Sequence, residues 1–388
     1  MCVFVVAHFR RKLFIATETF LYNYLSSFSR IMPICITFQK ASLERFPYSY
    51  PMVELYSWDI WSRGWRWLRQ RIWQDKSELR YDLPKTTKAL QQHDVRVLHA
   101  HFGYTGSQVL QVKEKTGLPL VTTFYGEDIS ALARRERWQR AYSELFSQGD
   151  FFLVEGPHMR KQLLDIGCPS EKAGIQRIAL KLDRYPFRQR LPKGKTDTVR
   201  LLFCGSFREK KGLLHALDAV RHAHERFPKL EFYVLGDGEL RLQVEQRIER
   251  YQMGSYTHLL GFQSHQRMIE QMAAADIFIS PSVTAANGDS EGGAPTTILE
   301  AQSCGVPVLS TDHADIPNVV VPGQSALLAP EGDTQTLGKN LCTLLAEPER
   351  WAEMGRHGRA FVERYHNITS EIRSLEELYS TFAKVSLA

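Results

Sequence analysis

Between Asp289 and Ser310 the chain reads DSEGGAPTTILEAQSCGVPVLS, and these residue types suit the binding of a phosphorylated sugar. Asp289 and Glu291 precede Gly292, Gly293, Ala294 and Pro295, and a short helix is predicted from Thr296. Pro beside the first helical position and Gly305 just past the end satisfy the start and stop rules for helices. A Gly-rich loop feeding a helix N-terminus is a ready anion site, because unpaired backbone N–H groups and the helix dipole both face the bound charge. Glu300 follows about one turn in. Its carboxylate would repel phosphate but accept hydrogen bonds from ribose hydroxyls. Loop and acid together point to a nucleotide, with phosphates at the helix tip and the sugar alongside. An ordinary surface turn between strand and helix fits the same residues.

The stretch resembles the nucleotide-sugar motif of the retaining glycosyltransferases of family four, which have the GT-B fold. That pattern runs Glu, Gly, an apolar residue, Pro, four apolar or small residues, then Glu-Ala, with Gly-x-Pro-Val beyond. The chain supplies Glu291, Gly292, Gly293, Ala294, Pro295, Glu300, Ala301, Gly305, Pro307 and Val308, with one extra residue between the two glutamates. EGGAP in place of the shorter form is similar to a bacterial exopolysaccharide subgroup of the colanic-acid type.

Bulk composition fits two domains of a soluble globular protein: 388 residues, 43% hydrophobic and 24% charged. A formal net charge of +6 favours anionic partners such as sugar nucleotides or acidic lipid surfaces, although a solvated surface explains it equally. Cys2, Cys35, Cys168, Cys204, Cys304 and Cys342 are scattered without paired metal spacing and read as free thiols of a reducing compartment. No apolar run approaches the roughly 20 residues that span a bilayer. At the start, MCVFVVAHFRRKLF, the apolar run precedes the basic residues, the reverse of a secretory signal, and it reads as a first strand.

In the first half, Val3–Ala7 is the expected first strand, followed by a loop holding Arg10, Arg11 and Lys12 and a helix capped by Thr17 or Thr19. The resemblance turns that loop toward an acceptor, which makes Glu18 a candidate there. As a plain sequence feature Glu18 is a helix-start acid. Ile34–Phe38 is a second strand. From Trp58 to Trp73 the sequence WDIWSRGWRWLRQRIW carries five of the seven tryptophans, interleaved with Arg63, Arg66, Arg69 and Arg71. Indole and guanidinium together suit a membrane interface; a core helix with snorkelling arginines is the alternative. Nothing frames the patch as a nucleic-acid module. VRVLHAH, Val95–His101, is a strand with His99 and His101 on one face. His101 stands at its carboxyl end, where doubly wound sheets bind ligands; a structural histidine of the core, locked in one tautomer, fits the same place equally. Pro119–Phe124 is the next strand, closed by Tyr125-Gly126-Glu127-Asp128. The resembling family often has histidine where Tyr125 stands, then Gly-x-Asp, so Asp128 keeps its place. Phe151–Glu155 and Gly174–Leu180 continue the alternation, with a helix from about His158.

Tyr185–Thr198, YPFRQRLPKGKTDT, is polar, basic and proline-bearing and reads as a linker. Beyond it LLFCG, EFYVLG, HLLGF, DIFISP, PVLST and SALLAP alternate with helices, which implies a six-stranded doubly wound parallel sheet. GSFREKKG, Gly205–Gly212, closes the first of these strands. Its cations suit a diphosphate, and a solvated charge run is the plain reading. The family pattern is Gly-Arg, a few residues, then Lys-Gly. Lys211 matches the lysine, Ser206 replaces the arginine, and Arg208 stands two residues on. Gly236-Asp237-Gly238 is a tight turn only partly like a dinucleotide fingerprint. Gly261-Phe262 ends the strand that, by resemblance, lines the base pocket.

The resemblance therefore implies an α/β protein of GT-B type, two facing Rossmann-like doubly wound domains with a cleft between. Residues 1–184 would bind the acceptor, 185–198 would link, 199–365 would bind the nucleotide sugar, and 366–388 would cross back as a helix. Implied donor residues are Gly205, Arg208, Lys211, Phe262, Gly292, Gly293, Ala294, Pro295, Thr296 and Glu300, with Glu300 on the ribose. Glu291 would orient donor hydroxyls, His101 and Asp128 would meet the acceptor or reacting sugar, and Glu18 and Tyr125 lie on the acceptor side. The implied activity is retaining hexosyl transfer from a UDP- or GDP-sugar to a glycan or lipid-linked acceptor in exopolysaccharide synthesis. It would need no metal and no cofactor, and would proceed in the cytoplasm or on the inner membrane face. A GT-B-like epimerase or phosphorylase, or a nonenzymatic partner retaining the fold, are the alternatives.

Overall fold

Short β-branched and apolar runs alternate with amphipathic helices along the whole chain, and parallel strands need such crossovers. The computed structural model describes residues 4–15, 18–40, 46–55, 81–194 and 196–387. The Trp58–Trp73 stretch lies outside them. Contacts divide the chain into two units: Met1–Glu155, Arg160–Arg177 and Ile368–Ala388 form unit 1, and Gly156–Met159 with Ile178–Asn367 form unit 2.

Unit 1 takes its strands and helices in the order β1 (Phe4–Leu13), α1 (Thr19–Leu25), β2 (Ile31–Lys40), β3 (Met52–Glu54), α2 (Leu83–Gln92) and β4 (Val95–His101). Then come α3 (Gly103–Thr116), β5 (Leu120–Thr123), α4 (Gly126–Ile129), α5 (Glu136–Gln148), β6 (Phe151–Val154), α6 (Pro157–Asp165) and β7 (Ala173–Ile175). The sheet order is β3-β2-β1-β4-β5-β6-β7. Neighbouring strands all pair in parallel, from Phe4 opposite Ile31 to Val154 opposite Ile175.

β1 corrects the expected loop. It runs ten residues and carries Arg10, Arg11 and Lys12 within the strand, with Arg10 opposite Thr37 and Lys12 opposite Gln39. The reason is local: the Arg10 guanidinium is buried against Glu18 and Tyr104, so a cation there ends no strand. α1 also differs at its start, since Glu18 precedes it, Thr19 is its first helical residue and no side chain caps it.

Unit 2 contains β8 (Val199–Cys204), α7 (Leu213–His224), β9 (Leu230–Leu235), α8 (Arg241–Arg250), β10 (Thr257–Gly261), α9 (His265–Ala274) and β11 (Ile277–Ser280). It continues through α10 (Thr296–Ser303), β12 (Val308–Thr311), β13 (Ala326–Ala329), α11 (Thr334–Ala346) and α12 (Trp351–Tyr365). Its sheet order, β10-β9-β8-β11-β12-β13, reverses direction between β8 and β11, the switch point where open parallel sheets bind ligands. Phe203, Phe207, Phe232 and Trp351 fill the core, and the Trp351 indole N–H donates to the Leu344 carbonyl at 2.8 Å. Tyr185 and Arg190, from the stretch read as a linker, are buried within this unit. Arg190 donates to the carbonyls of Ala275 at 2.7 Å and Met272 at 3.3 Å.

α13 (Ile368–Ala383) returns to unit 1. Buried Glu376 fastens it, accepting the backbone N–H groups of Ser29 and Arg30 and the Arg30 side chain, each at 2.8 Å. Such charge-assisted bonds hold a helix more firmly than apolar packing alone, because a misplaced dock would leave the carboxylate buried and unpaired.

Candidate active site

In unit 2 the ends of β8 and β11 bring two distant loops together. Gly212 allows the approach: its φ is +66°, and a Cβ there would lie 1.7 Å from the Pro281 carbonyl oxygen. Gly236 plays the same part toward Gly205, with φ +129° and a Cβ only 1.8 Å from the Gly205 oxygen. Gly205 itself would accept a Cβ at ordinary contact distance from Phe203. Gly212 and Gly236 are therefore obligatory glycines.

This approach lays the β8 cations on the Gly-rich loop. Lys211 Nζ sits 2.7 Å from Glu291 Oε2, and Lys210 Nζ sits 3.0 Å from both Asp289 Oδ1 and the Ser290 carbonyl. Ser282 donates to Glu291 Oε1 at 3.1 Å, and the Glu291 N–H donates to His313 Nε2 at 3.2 Å. The His313 ring in turn donates from Nδ1 to Glu331 at 2.7 Å. Burial opposes ionisation of Glu291, but Lys211 and Lys210 outweigh it and hold the carboxyl below its usual range. Gly292 takes φ +73° and its N–H donates to Ser290 Oγ at 3.2 Å. The Gly293 carbonyl accepts from the Asp315 N–H at 3.3 Å. Ala294 and Pro295 lead into α10, which begins at Thr296 as expected with Pro295 as its N-cap. Arg208 is exposed and precedes the turn holding Lys211; Phe262 is also exposed, just past β10.

Glu300 is buried in α10, and its Oε1 accepts from Tyr185 OH at 2.9 Å and lies 3.2 Å from His265 Nε2. Its other oxygen has no hydrogen bond to the described residues. The carboxylate is thus gripped through one oxygen. Tyr185 and His265 escaped the sequence reading; the only signal was an aromatic in an otherwise polar linker and a histidine opening a helix.

In unit 1, His101 ends β4 with both ring nitrogens engaged: Nε2 lies 3.1 Å from His8 Nδ1, and Nδ1 lies 3.0 Å from Tyr125 OH. His99 Nε2 lies 2.7 Å from Thr123 Oγ1, and its Nδ1 bonds the Tyr379 hydroxyl from α13. Burial, first of all, keeps His8 and His101 well below the usual histidine range and His99 down to about 3. One nitrogen from each of His8, His99 and His101 falls within 4.8 Å of the others, close enough for a shared metal ion. Five of the six ring nitrogens already have hydrogen-bond partners, and His8 Nε2 lacks one among the described residues. His8 was missed because it sits in the middle of a hydrophobic strand.

Asp128 is fully buried, and its two oxygens accept the N–H groups of Gly103 at 2.6 Å and Tyr125 at 2.8 Å. It ties the turn after β4 to the turn after β5. Burial raises its pKa to about 7 despite those backbone bonds. Glu18 grips Arg10 at 2.5 and 3.2 Å, and Tyr104 OH accepts from Arg10 at 2.7 Å.

HepE of Anabaena, solved with UDP and glucose, matches this chain with a TM-score of 0.76 at 16% identity, over 97% of this chain and 100% of HepE. Sucrose-phosphate synthase of Thermosynechococcus elongatus matches with 0.75 at 15% identity, over 99% and 100%. Two Rossmann-like parallel sheets and these neighbours define the GT-B glycosyltransferase fold. Residues 185–361 match the glycosyl transferases group 1 family. AmsK of Erwinia amylovora, an amylovoran biosynthesis glycosyltransferase, is 32% identical over 73% of this chain and 69% of its own length. WcaL of Escherichia coli (strain K12), named for colanic acid biosynthesis, is 31% identical over 72% of this chain and 70% of its own. This chain belongs to the group 1 glycosyl transferases and is homologous to those of exopolysaccharide biosynthesis.

Proposed function

We propose that this glycosyltransferase moves a hexose from a UDP- or GDP-sugar to a glycan or lipid-linked acceptor, with retention at the anomeric carbon and without a metal ion. The observation that carries the reading is the convergence of Lys210 and Lys211 on the Gly-rich loop that leads into the tip of α10. As the bond from anomeric carbon to phosphate oxygen breaks, its electron pair passes to the diphosphate, and the acceptor oxygen forms the new bond while its proton passes to the departing diphosphate oxygen. Pre-placed cations and helix N–H groups act mainly on that growing charge, so they lower the barrier more than they tighten ground-state binding. Lys211 would leave Glu291 for the phosphate, and Glu291 would then accept donor hydroxyls. Glu300 would hold the ribose with its outward oxygen. Lysines meeting the diphosphate directly supply the charge that a divalent ion provides elsewhere. His101, oriented by Tyr125 and His8, would face the reacting sugar, with Asp128 as a positioning residue. UDP in HepE supports a UDP-sugar as the first donor to try. The site of action would be the cytoplasmic face of a membrane, with Trp58–Trp73 meeting lipid; among the described residues no helix is long and apolar enough to cross one.

The test is release of nucleoside diphosphate from UDP- and GDP-hexoses with acceptor-containing lipid extract, with and without EDTA, and NMR of the product's anomeric proton. EDTA-resistant release and an axial anomeric linkage from an axial donor support the proposal. Loss of release with EDTA, or an inverted anomer, overturns the corresponding half.

A further inference from the structure

Three loops of unit 2 are tied together through one imidazole. His313 lies in the turn after β12 and is 2% exposed. Its Nδ1 lies 2.7 Å from Oε2 of Glu331, just past β13, and its Nε2 lies 3.2 Å from the backbone N of Glu291 in the Gly-rich loop. Glu331 reaches the third loop, since its Oε1 accepts the N–H of Thr284, after β11, at 2.5 Å. These partners leave the ring one tautomer. A backbone N–H only donates, so Nε2 is the bare nitrogen; a carboxylate only accepts, so Nδ1 carries the hydrogen. Burial opposes ionisation of Glu331, but the bonds from His313 and Thr284 outweigh it and hold the carboxyl below its usual range.

The bond at Nε2 fixes a peptide plane. The Ser290–Glu291 peptide is trans and planar, so its N–H and its carbonyl point in opposite directions. His313 takes the N–H, and Lys210 Nζ donates to the carbonyl at 3.0 Å. The peptide is held from both sides and cannot turn without losing both bonds. The residues beyond it depend on that plane: the Glu291 side chain leaves it to meet Ser282 and Lys211, and Gly292 follows with φ +73°. The turn after β12 grips the loop a second time, where the Asp315 N–H donates to the Gly293 carbonyl at 3.3 Å. Between the two grips Ala314 has φ +50°, a conformation uncommon outside glycine. Such strain persists where the surroundings over-determine it.

We propose that His313 is a positioning residue for the transfer reaction: held by Glu331 as the Nδ1–H tautomer, it fixes the Ser290–Glu291 peptide and so aims the Glu291 carboxylate and the Gly-rich loop at the bound donor. The inference rests on the donor reading of that loop and adds a residue that acts through Glu291. An ordinary buried polar cluster needs only that each group be paired. The positioning role needs one thing more, an acceptor at the place of Nε2.

Two amide side chains separate these roles. Gln carries an oxygen to the place of Nε2 but gives up the Nδ1–H, whereas Asn keeps a donor near the place of Nδ1 and falls short of Glu291. The test compares wild type, His313→Gln and His313→Asn as full chains. Amide hydrogen exchange across residues 285–295 is read without nucleotide, and kcat and KM are read for UDP- and GDP-hexoses with acceptor-containing lipid extract. In His313→Asn the Glu291 amide should exchange at least about tenfold faster, and kcat should fall at least about tenfold with donor KM within about threefold, because a misplaced group costs rate before binding. His313→Gln should bring both back toward wild type. Glu331→Ala, at a partly exposed site, should also raise the exchange, and it decides the matter if His313→Asn does not fold. Wild-type exchange in His313→Asn and Glu331→Ala, equal losses in the Gln and Asn variants, or a loss confined to KM overturns the inference. A wild type without turnover strikes the glycosyl-transfer reading alone, and the exchange comparison then decides the inference by itself.

Discussion

Glu300 and Lys211 are single side chains whose partners decide what they can do. Glu300 is buried with one oxygen fixed by Tyr185 and His265, so in the proposed donor complex its other oxygen would enter already oriented. Tyr185→Phe removes one of those bonds, worth about 1 kcal/mol net. The donor Kd should rise roughly fivefold by calorimetry while the melting temperature changes little. In the proposed mechanism Lys211 carries more of the barrier. Lys211→Ala should lower kcat by about 10²- to 10³-fold, the usual scale for one lost charge-stabilising donor, with a smaller effect on KM. An unchanged kcat would remove Lys211 from the mechanism. At this scale a motif marked Glu291, Glu300 and Lys211 in the sequence, and the structure brings Lys211 to 2.7 Å from Glu291; their roles belong to the proposal. The sequence was silent on Tyr185, His265 and His313, whose importance comes from which loop lies against which. Asp128 was found by its place in a pattern, but only burial and two backbone N–H donors reveal that it clamps turns.

At the scale of elements, the turns do the positioning. Gly212 permits the approach of the β8 turn to Pro281, so Gly212→Ala should destabilise the fold by about 1–3 kcal/mol, the range for a strained backbone, and should weaken nucleotide binding as well. Gly205→Ala, with ordinary space for a Cβ, should cost far less in a paired thermal melt. All six strands of the second sheet were legible because each is a short apolar run bounded by Gly, Pro or charge. β1 was under-read because three successive cations look like a loop until Glu18 and Tyr104 are seen to absorb Arg10. β3 has only three residues, too few for a pattern to emerge. The polar segment after Tyr185 looked free because the partners of Tyr185 and Arg190 are long-range.

The whole molecule should show a characteristic response to pH. Asp128 and Glu371 both have pKa values raised to about 7, chiefly by burial. An acid whose folded pKa lies above its unfolded value binds more protons when folded. Its ionisation costs stability, and that cost grows from about pH 4 to pH 7. His8, His99 and His101 work in the opposite sense, since burial keeps them neutral. Their contribution is complete above about pH 6.5 and is lost as the pH falls below it, for His99 down to about 3. Asp128→Asn isolates the first effect: the difference in melting temperature between variant and wild type should shift in the variant's favour as pH rises from 4 to 7. A difference independent of pH would mean that Asp128 titrates normally.

The most direct test of the central claim is thermal unfolding of wild type and Glu300→Ala with UDP, GDP, ADP and CMP, each with EDTA. A nucleotide at about 100 times its dissociation constant adds about 2.7 kcal/mol of stability. The account predicts an EDTA-resistant rise in melting temperature with UDP or GDP that Glu300→Ala loses. A wild type indifferent to every nucleotide, or a mutant that keeps the full rise, would contradict it.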